Sequence, residues 1–200
     1  WLFGDNASKR TMERKNDLAW QTSSEIGGTP TRENSAGYFV NSGGSNSDSD
    51  SSSVSTTTTT TSVSTTTTEP ISYPKILINE IKIADKDSEN EIIVKDEFIE
   101  LYNPNNFSVD LTNWYIQKKT KDGDSFNSLV TKSVLEGKLI NPKDYFVIGN
   151  ILSPVASTCD ALWADNYSLA KDNTIALKNP LGEIVDKVGW GEVLDSENLP

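Results

Sequence analysis

Between Ser45 and Thr68, 19 of 24 residues are Ser or Thr, interrupted only by Asn46, Asp48, Asp50, Val54 and Val63. A stretch of that composition cannot bury enough apolar surface to offset the entropy lost on ordering its backbone. It therefore predicts a disordered or extended linker over about residues 37–72, and no single core can run through it. The 200-residue chain is divided into a short N-terminal piece, residues 1–36, and a longer one, residues 73–200. As a flexible coil, a linker of about 36 residues spans roughly 30 to 36 Å on average. Tracts of this kind serve as O-glycosylated surface stalks or as plain solvated spacers.

Beyond the tract the pattern changes. Apolar segments are short and punctuated: KILINEIKI (75–83), EFIELYN (97–103), NWYIQKK (113–119), DYFVIGN (144–150), TIALKN (174–179) and EIVDKVGW (183–190). Each is rich in β-branched or aromatic residues and bounded by Asn, Asp, Gly or Pro. EIVDKVGW sets Ile184 and Val188 against Glu183 and Lys187. EFIELYN sets Ile99 and Leu101 on one face and Phe98, Glu100 and Tyr102 on the other. No window sustains a 3.6-residue apolar period. Turn chemistry is written into Asn103-Pro104-Asn105-Asn106, Lys121-Asp122-Gly123-Asp124 and Asn179-Pro180-Leu181-Gly182. Seven or so short strands at this spacing predict an all-β sandwich. Trp114 is expected to anchor its core, with a carbohydrate-stacking platform as the competing role for Trp114, Trp163 or Trp190.

Several chemistries are excluded or left without a signature. A net charge of -11 and a pI near 4.5 argue against binding a phosphate backbone. The basic cluster Lys118-Lys119-Thr120-Lys121 reads as the solvated end of a hairpin, so nucleic acid is not an expected partner. The chain has no histidine, which removes Ser-His-Asp and Cys-His nucleophile systems and His-containing zinc sites. The single cysteine, Cys159, rules out an intrachain disulfide and multi-Cys zinc patterns. No phosphate-cradling, dinucleotide-binding or nucleophile-elbow motif is present. Two carboxylates would suffice for glycoside hydrolysis, but nothing selects a pair among 29 acidic residues. No catalytic residue is assigned. Apolar runs reach about five residues, far short of the roughly 20 that span a bilayer. The one cofactor the pattern raises is calcium, with Asp85, Asp87, Glu89 and Glu91 of ADKDSENE as oxygen ligands. Asn90 stands where an EF-hand turn requires Gly, and the competing reading is a solvated acidic hairpin loop.

Taken in order, INE, EFIELYNP, VDLTNWYI, NPKDYFVIGN and TIALKNPLGEIVDKVGWG resemble the lamin-tail domain family, over about residues 75–190. The resemblance implies an immunoglobulin-like β-sandwich, a fold found in nuclear lamins and in many bacterial surface and secreted proteins. It marks Asn79, Glu80, Glu100, Asn103, Trp114, Gly189 and Trp190 as family positions. Asn79, Glu80, Glu100 and Asn103 are read as structural hydrogen-bonding groups, not a catalytic set. Members of the family close with a segment approximating S-x-E-R, a polar loop, a Trp and a Gly-Gly-x-Pro-Gly exit. Residues 8–30 resemble that segment through Ser8, Glu13-Arg14, Trp20 and Gly27-Gly28-Thr29-Pro30; the family often has Gly where Thr31 stands.

Residues 1–36 are therefore expected to be the C-terminal remnant of an upstream lamin-tail domain. Residues 73–200 are expected to form a second such domain without its last strand. The chain, which opens on Trp1, reads as a piece of a longer protein. An unpaired sheet edge is a template for another strand, so residues 9–21 are expected to dock there as a substitute. The functional expectation is a non-catalytic segment of an exported multidomain protein, extracellular or at a bacterial cell surface. It would display or tether neighbouring domains or bind a protein partner. The alternatives are an accessory module of a large extracellular hydrolase or nuclease, and an adhesion module that binds surface glycan or calcium.

Overall fold

The computed structural model describes residues 8–16, 19–37, 72–86 and 92–192. The Ser/Thr tract lies outside the described residues, as do Asp87, Glu89 and Glu91; Asp85 is placed by its backbone alone. The strands in chain order are β1 (Arg10–Arg14), β2 (Trp20–Ile26), β3 (Leu77–Lys82), β4 (Asp85–Lys86), β5 (Ile92–Val94), β6 (Phe98–Tyr102) and β7 (Val109–Asp110). They continue with β8 (Tyr115–Thr120), β9 (Asn127–Val130), β10 (Leu139–Ile140), β11 (Tyr145–Asn150), β12 (Ala161–Trp163), β13 (Asn173–Lys178) and β14 (Ile184–Trp190). A four-residue helix, Lys132–Leu135, and one 3₁₀ turn, Ala156–Thr158, complete the described elements.

All six apolar segments read from the sequence carry strands: β3, β6, β8, β11, β13 and β14. The larger sheet has six strands in the order β12-β11-β6-β3-β1-β2, and the other main sheet has four, β14-β13-β8-β9. Two-stranded ribbons, β10-β7 and β4-β5, lie at the turns. The arrangement is an immunoglobulin-like β-sandwich. β1 is inserted between β2 and β3, antiparallel to both, so within the expected segment Arg10–Arg14 pairs with the sheet edge, and Trp20–Ile26 pairs in turn with Arg10–Arg14.

Across four strands of the large sheet one ladder row is apolar: Met12, Ile81, Ile99 and Ile148 are successive partners across β1, β3, β6 and β11. Trp114, Trp163 and Trp190 are all buried, at 1%, 1% and 5% exposure. Trp163 Nε1 donates to the Tyr167 carbonyl at 3.1 Å and Trp190 Nε1 to the Ala170 carbonyl at 2.8 Å. Rings exposed to 5% or less offer no open face for a sugar to stack on. The stacking role raised for these three is therefore corrected to a core role.

Two expected face patterns also change. Ile184 is 43% exposed while Lys187 is buried. The register slips there, because Leu177 pairs with Asp186 but Lys178 with Ile184, and the extra residue turns Ile184 outward. In β6 both faces are buried, Phe98 and Glu100 as well as Ile99 and Leu101. The cover over Glu100 comes from the N-terminal segment.

Turns behave as their residues dictate. Asn103 Nδ2 donates to the carbonyls of Phe107, Ile140 and Asn141, and its Oδ1 accepts from the Asn105 N–H at 2.9 Å. Asn179 Oδ1 accepts from the Leu181 and Glu183 N–H groups, and Gly182 takes φ +87° to close that hairpin. Lys118 is only half-exposed and donates to the Ser168 carbonyl, so the basic cluster is not a uniformly solvated end.

Candidate functional site at the hairpin seam

One row of the large sheet is acidic. Glu13 on β1 is the register partner of Glu80 on β3, and Glu80 of Glu100 on β6. All three are 0% exposed. Side chains opposite one another in adjacent strands share a face within about 5 Å, and like charges so placed repel. The row exists only because β1 is present, since β1 supplies Glu13.

The exit from β2 covers the row. Gly27 and Gly28, both at φ +84°, turn the chain back over the sheet. Thr29 N–H then reaches both Glu80 oxygens, at 3.0 and 3.1 Å, and its hydroxyl donates to Glu13 at 2.7 Å. Thr31 N–H donates to Glu100 at 2.5 Å. Ser35 donates to Glu13 through its N–H at 3.1 Å and its hydroxyl at 2.6 Å. Asn79 donates to Glu100 at 2.7 Å and exchanges amide hydrogen bonds with Asn34, which also donates to the Arg14 carbonyl. The segment GGTPTRENS thus acts as a clasp, with Thr29, Thr31 and Ser35 donating to the carboxylates of the row and Asn34 bonding to Asn79 beside it.

Gly28 is required by space as well as conformation. A Cβ there would lie 1.7 Å from Glu80 Oε1. At Gly27 the same atom would meet nothing within 4 Å.

Burial pushes the Glu80 carboxyl up to about 8; the Thr11 hydroxyl and Thr29 N–H work against the rise, and the charges of Glu100 and Glu13 add to it. Thr11 Oγ1 sits beside that carboxyl without a hydrogen bond of ordinary geometry. Burial likewise lifts Glu100 to about 7, against the Thr31 N–H and the Asn79 amide. Glu80 and Glu100 therefore hold their protons to higher pH than exposed carboxyls do.

Arg14 locks the other side of the seam. Its Nε donates to the Ile78 carbonyl at 2.8 Å, its Nη2 pairs with Asp186 at 2.9 Å, and its guanidinium lies 4.8 Å from the Trp20 ring centroid. Asp186 Oδ2 also accepts from the Ile78 N–H at 2.7 Å, tying β14 to the same strand.

A groove of roughly 840 Å³ opens beside the clasp, with Asn16, Gln21, Glu33 and Asn34 from the N-terminal segment on one wall and Tyr102 and Tyr145 among the residues on the other. The tyrosine rings lie 5.1 Å apart and are tilted by 36°. Burial holds the Tyr145 phenol up at about 12, so it stays a hydrogen-bond donor at physiological pH.

Of the family positions read from the sequence, Asn79, Glu80 and Glu100 meet in this one site. Asn103 caps a turn, and Trp114, Gly189 and Trp190 lie elsewhere in the sandwich. Among the described residues no group of three or more Asp, Glu or Cys side chains is arranged to hold a metal ion. Sequence reasoning missed Thr29, Asn34 and Ser35 as partners of the row. It also missed a second buried carboxyl node, where Glu97 accepts from the Leu169 N–H and, at 3.2 Å, from the Asn150 amide. Cys159 is partly covered, and burial raises its thiol pKa, so it has no activated character.

A family model described as Lamin Tail Domain matches residues 69–192. The chain belongs to the lamin tail domain family. That family is one of immunoglobulin-like modules that are generally non-catalytic. The lamin tail match contains Asn79, Glu80 and Glu100 but not Glu13 or the clasp, which lie before the Ser/Thr tract. No curated protein matches this chain. Among the described residues no helix is long and apolar enough to cross a membrane.

Proposed function

We propose that this chain is a structural module of an exported, multidomain bacterial protein. In this reading it works outside the cell or at its surface and tethers what precedes the Ser/Thr tract to the lamin tail sandwich that follows. The observation that carries the reading is the insertion of β1 between β2 and β3 with its glutamate row clasped from above. Such a fastening turns the tract from an open tether into a closed loop, and load applied across the module passes through the seam. Surface placement is supported by the tract composition, which suits an exposed stalk.

The direct test inserts a site-specific protease sequence between Ser45 and Thr68 and cleaves the folded protein there. The expected result is that residues 8–37 remain bound through native size-exclusion chromatography. Separation of the two fragments under native conditions would overturn the tethering role.

A second reading, glycan binding, is favoured by the groove beside the clasp. Its tyrosine pair offers an apolar face for a pyranose ring, and Asn16 and Glu33 offer hydrogen-bonding groups for sugar hydroxyls. Titration with cello-, xylo- and chito-oligosaccharides, followed by NMR shifts, tests it. Binding should weaken about tenfold in Tyr102→Ala or Tyr145→Ala; absence of binding to all three series rejects the reading.

A further inference from the structure

The hairpin formed by residues 8–37 is joined to the rest of the sandwich only through residues 38–71, and every other link between them is non-covalent. Those links are specific. Met12 and Trp20 are buried in the completed sandwich, at 5% and 8% exposure. Glu13 must meet Glu80, Thr29 must meet Glu80, Thr31 must meet Glu100, and Arg14 must meet Ile78 and Asp186. A strand of unrelated sequence would leave Glu80 without its Thr29 donor, Glu100 with Asn79 alone and Asp186 without its Arg14 ion pair. The same contacts are made identically whether the hairpin comes from the same chain or from another.

We propose that the 8–37 hairpin is a transferable donor, and that a second copy of this chain is its partner. The hairpin of each copy completes the β3 edge of the other, giving a reciprocal exchange dimer in which neither sandwich is whole without a segment of its neighbour. The proposal rests on the tethering reading and names the partner that the seam admits besides its own chain.

Balance between closed monomer and exchanged dimer is set by the tract alone. If the tract behaves as the flexible coil its composition predicts, it gives its own hairpin an effective concentration on the order of millimolar. Dilute chains therefore close on themselves. Crowded copies, or copies held side by side, exchange. Register and handedness are unchanged, so exchange adds no new interface to optimise.

The test uses two full-length variants. Gly28→Val drives a side chain into Glu80 Oε1 and into Thr11 of its own hairpin, so the hairpin cannot close its clasp on either sandwich. Glu80→Arg has an intact hairpin but a sandwich edge that rejects it. Unfolded and refolded together, the pair should form a 1:1 complex of twice the monomer mass by light scattering, while each alone does not. Because either variant could aggregate, a chain altered only by the protease sequence in its tract is also refolded at millimolar concentration and then diluted. A kinetically trapped dimer that returns to monomer after tract cleavage or brief unfolding supports exchange. If the variant pair stays apart and the concentrated refold yields monomer alone, exchange is overturned. Retention of the hairpin by the cleaved chain in that same case would leave the tethering role standing.

Discussion

Glu13 and Glu80 stand directly opposite each other on β1 and β3, and neither touches solvent. Two facing carboxylates in a dry sheet would repel if both were ionised, and Glu100 stands next in the row. The row is tolerable because the clasp brings hydrogen-bond donors to it and because Glu80 and Glu100 hold their protons well above the usual carboxylate range. That retention makes the fold sensitive to pH in an uncommon direction.

Unfolded, Glu80 and Glu100 ionise around 4.5; folded, they do so at about 8 and about 7. Between those limits the folded chain binds more protons than the unfolded one, so stability falls as pH rises from about 4.5 to about 8 and levels off above. Glu97, raised chiefly by burial, contributes in the same direction. Urea denaturation followed at several pH values should show a midpoint that declines across this window by the equivalent of several kcal/mol. A midpoint that rises with pH there would contradict the buried row.

Glu80→Gln tests the same carboxyl without changing its shape. The amide oxygen can still accept the Thr29 N–H, and the amide nitrogen can donate to Glu13. The variant should lose much of the pH dependence and match or exceed the parent's stability above about pH 8. Glu80→Ala leaves the Thr29 N–H buried without its acceptor and should cost about 1–3 kcal/mol at low pH. Comparing the two variants by thermal unfolding separates charge from hydrogen bonding.

The two clasp glycines give an internal control. Both sit at φ +84°, so an Ala at either suffers left-handed strain of about 1–2 kcal/mol. Only at Gly28 does the new Cβ collide with Glu80. Gly28→Ala should therefore destabilise by about 2–3 kcal/mol more than Gly27→Ala. Equal effects in calorimetry would mean the clasp is looser than described.

Much of the fold was legible because β3, β6, β8, β11, β13 and β14 announce themselves locally. IleLeuIle, PheIle and PheValIle runs sit between Asn, Pro and Gly punctuation, and strand boundaries follow within a residue or two. The docking of the N-terminal segment was legible too, from its likeness to a closing strand. The glutamate row was not. Glu13 and Glu80 are 67 positions apart in sequence, and nothing local distinguishes a carboxylate that will be buried from the many that stay in water. Which face of β6 is covered depended on where a distant loop lands. The bulge that turns Ile184 outward was hidden for a related reason, since alternation read along one strand carries no information about slippage against its partner.

Thr31 bears on this point. The resemblance to a closing segment predicts Gly there, and in this chain Thr31 adopts φ +69°. A β-branched residue is poorly suited to left-handed backbone, while its N–H is the group that holds Glu100. Thr31→Gly keeps the N–H and removes the strain, against a backbone-entropy cost of roughly 0.5–1 kcal/mol. A net gain of up to about 1 kcal/mol is expected, measurable as a higher urea midpoint; a clear loss would assign the threonine side chain a contact of its own.

Arg14 gives the sharpest test of how the seam is held. One guanidinium serves three partners at once: a carbonyl on β3, a carboxylate on β14 and the Trp20 ring on β2. Lysine keeps the charge but has no planar fork, so it can reach Asp186 or the Ile78 carbonyl but not both, and it stacks less well on the indole. Side-chain exposure is 4% for Arg14 and 10% for Asp186, so little water is available to replace a lost bond. Arg14→Lys should cost about 1–3 kcal/mol, and Arg14→Met about 3–5 kcal/mol because Asp186 is left as a buried charge with one donor removed. Adding Asp186→Asn to Arg14→Met should recover part of that loss, since the uncompensated charge is gone while an oxygen remains to accept the Ile78 N–H. A double variant no more stable than Arg14→Met alone would locate the contribution of Arg14 in its carbonyl and ring contacts instead of the ion pair.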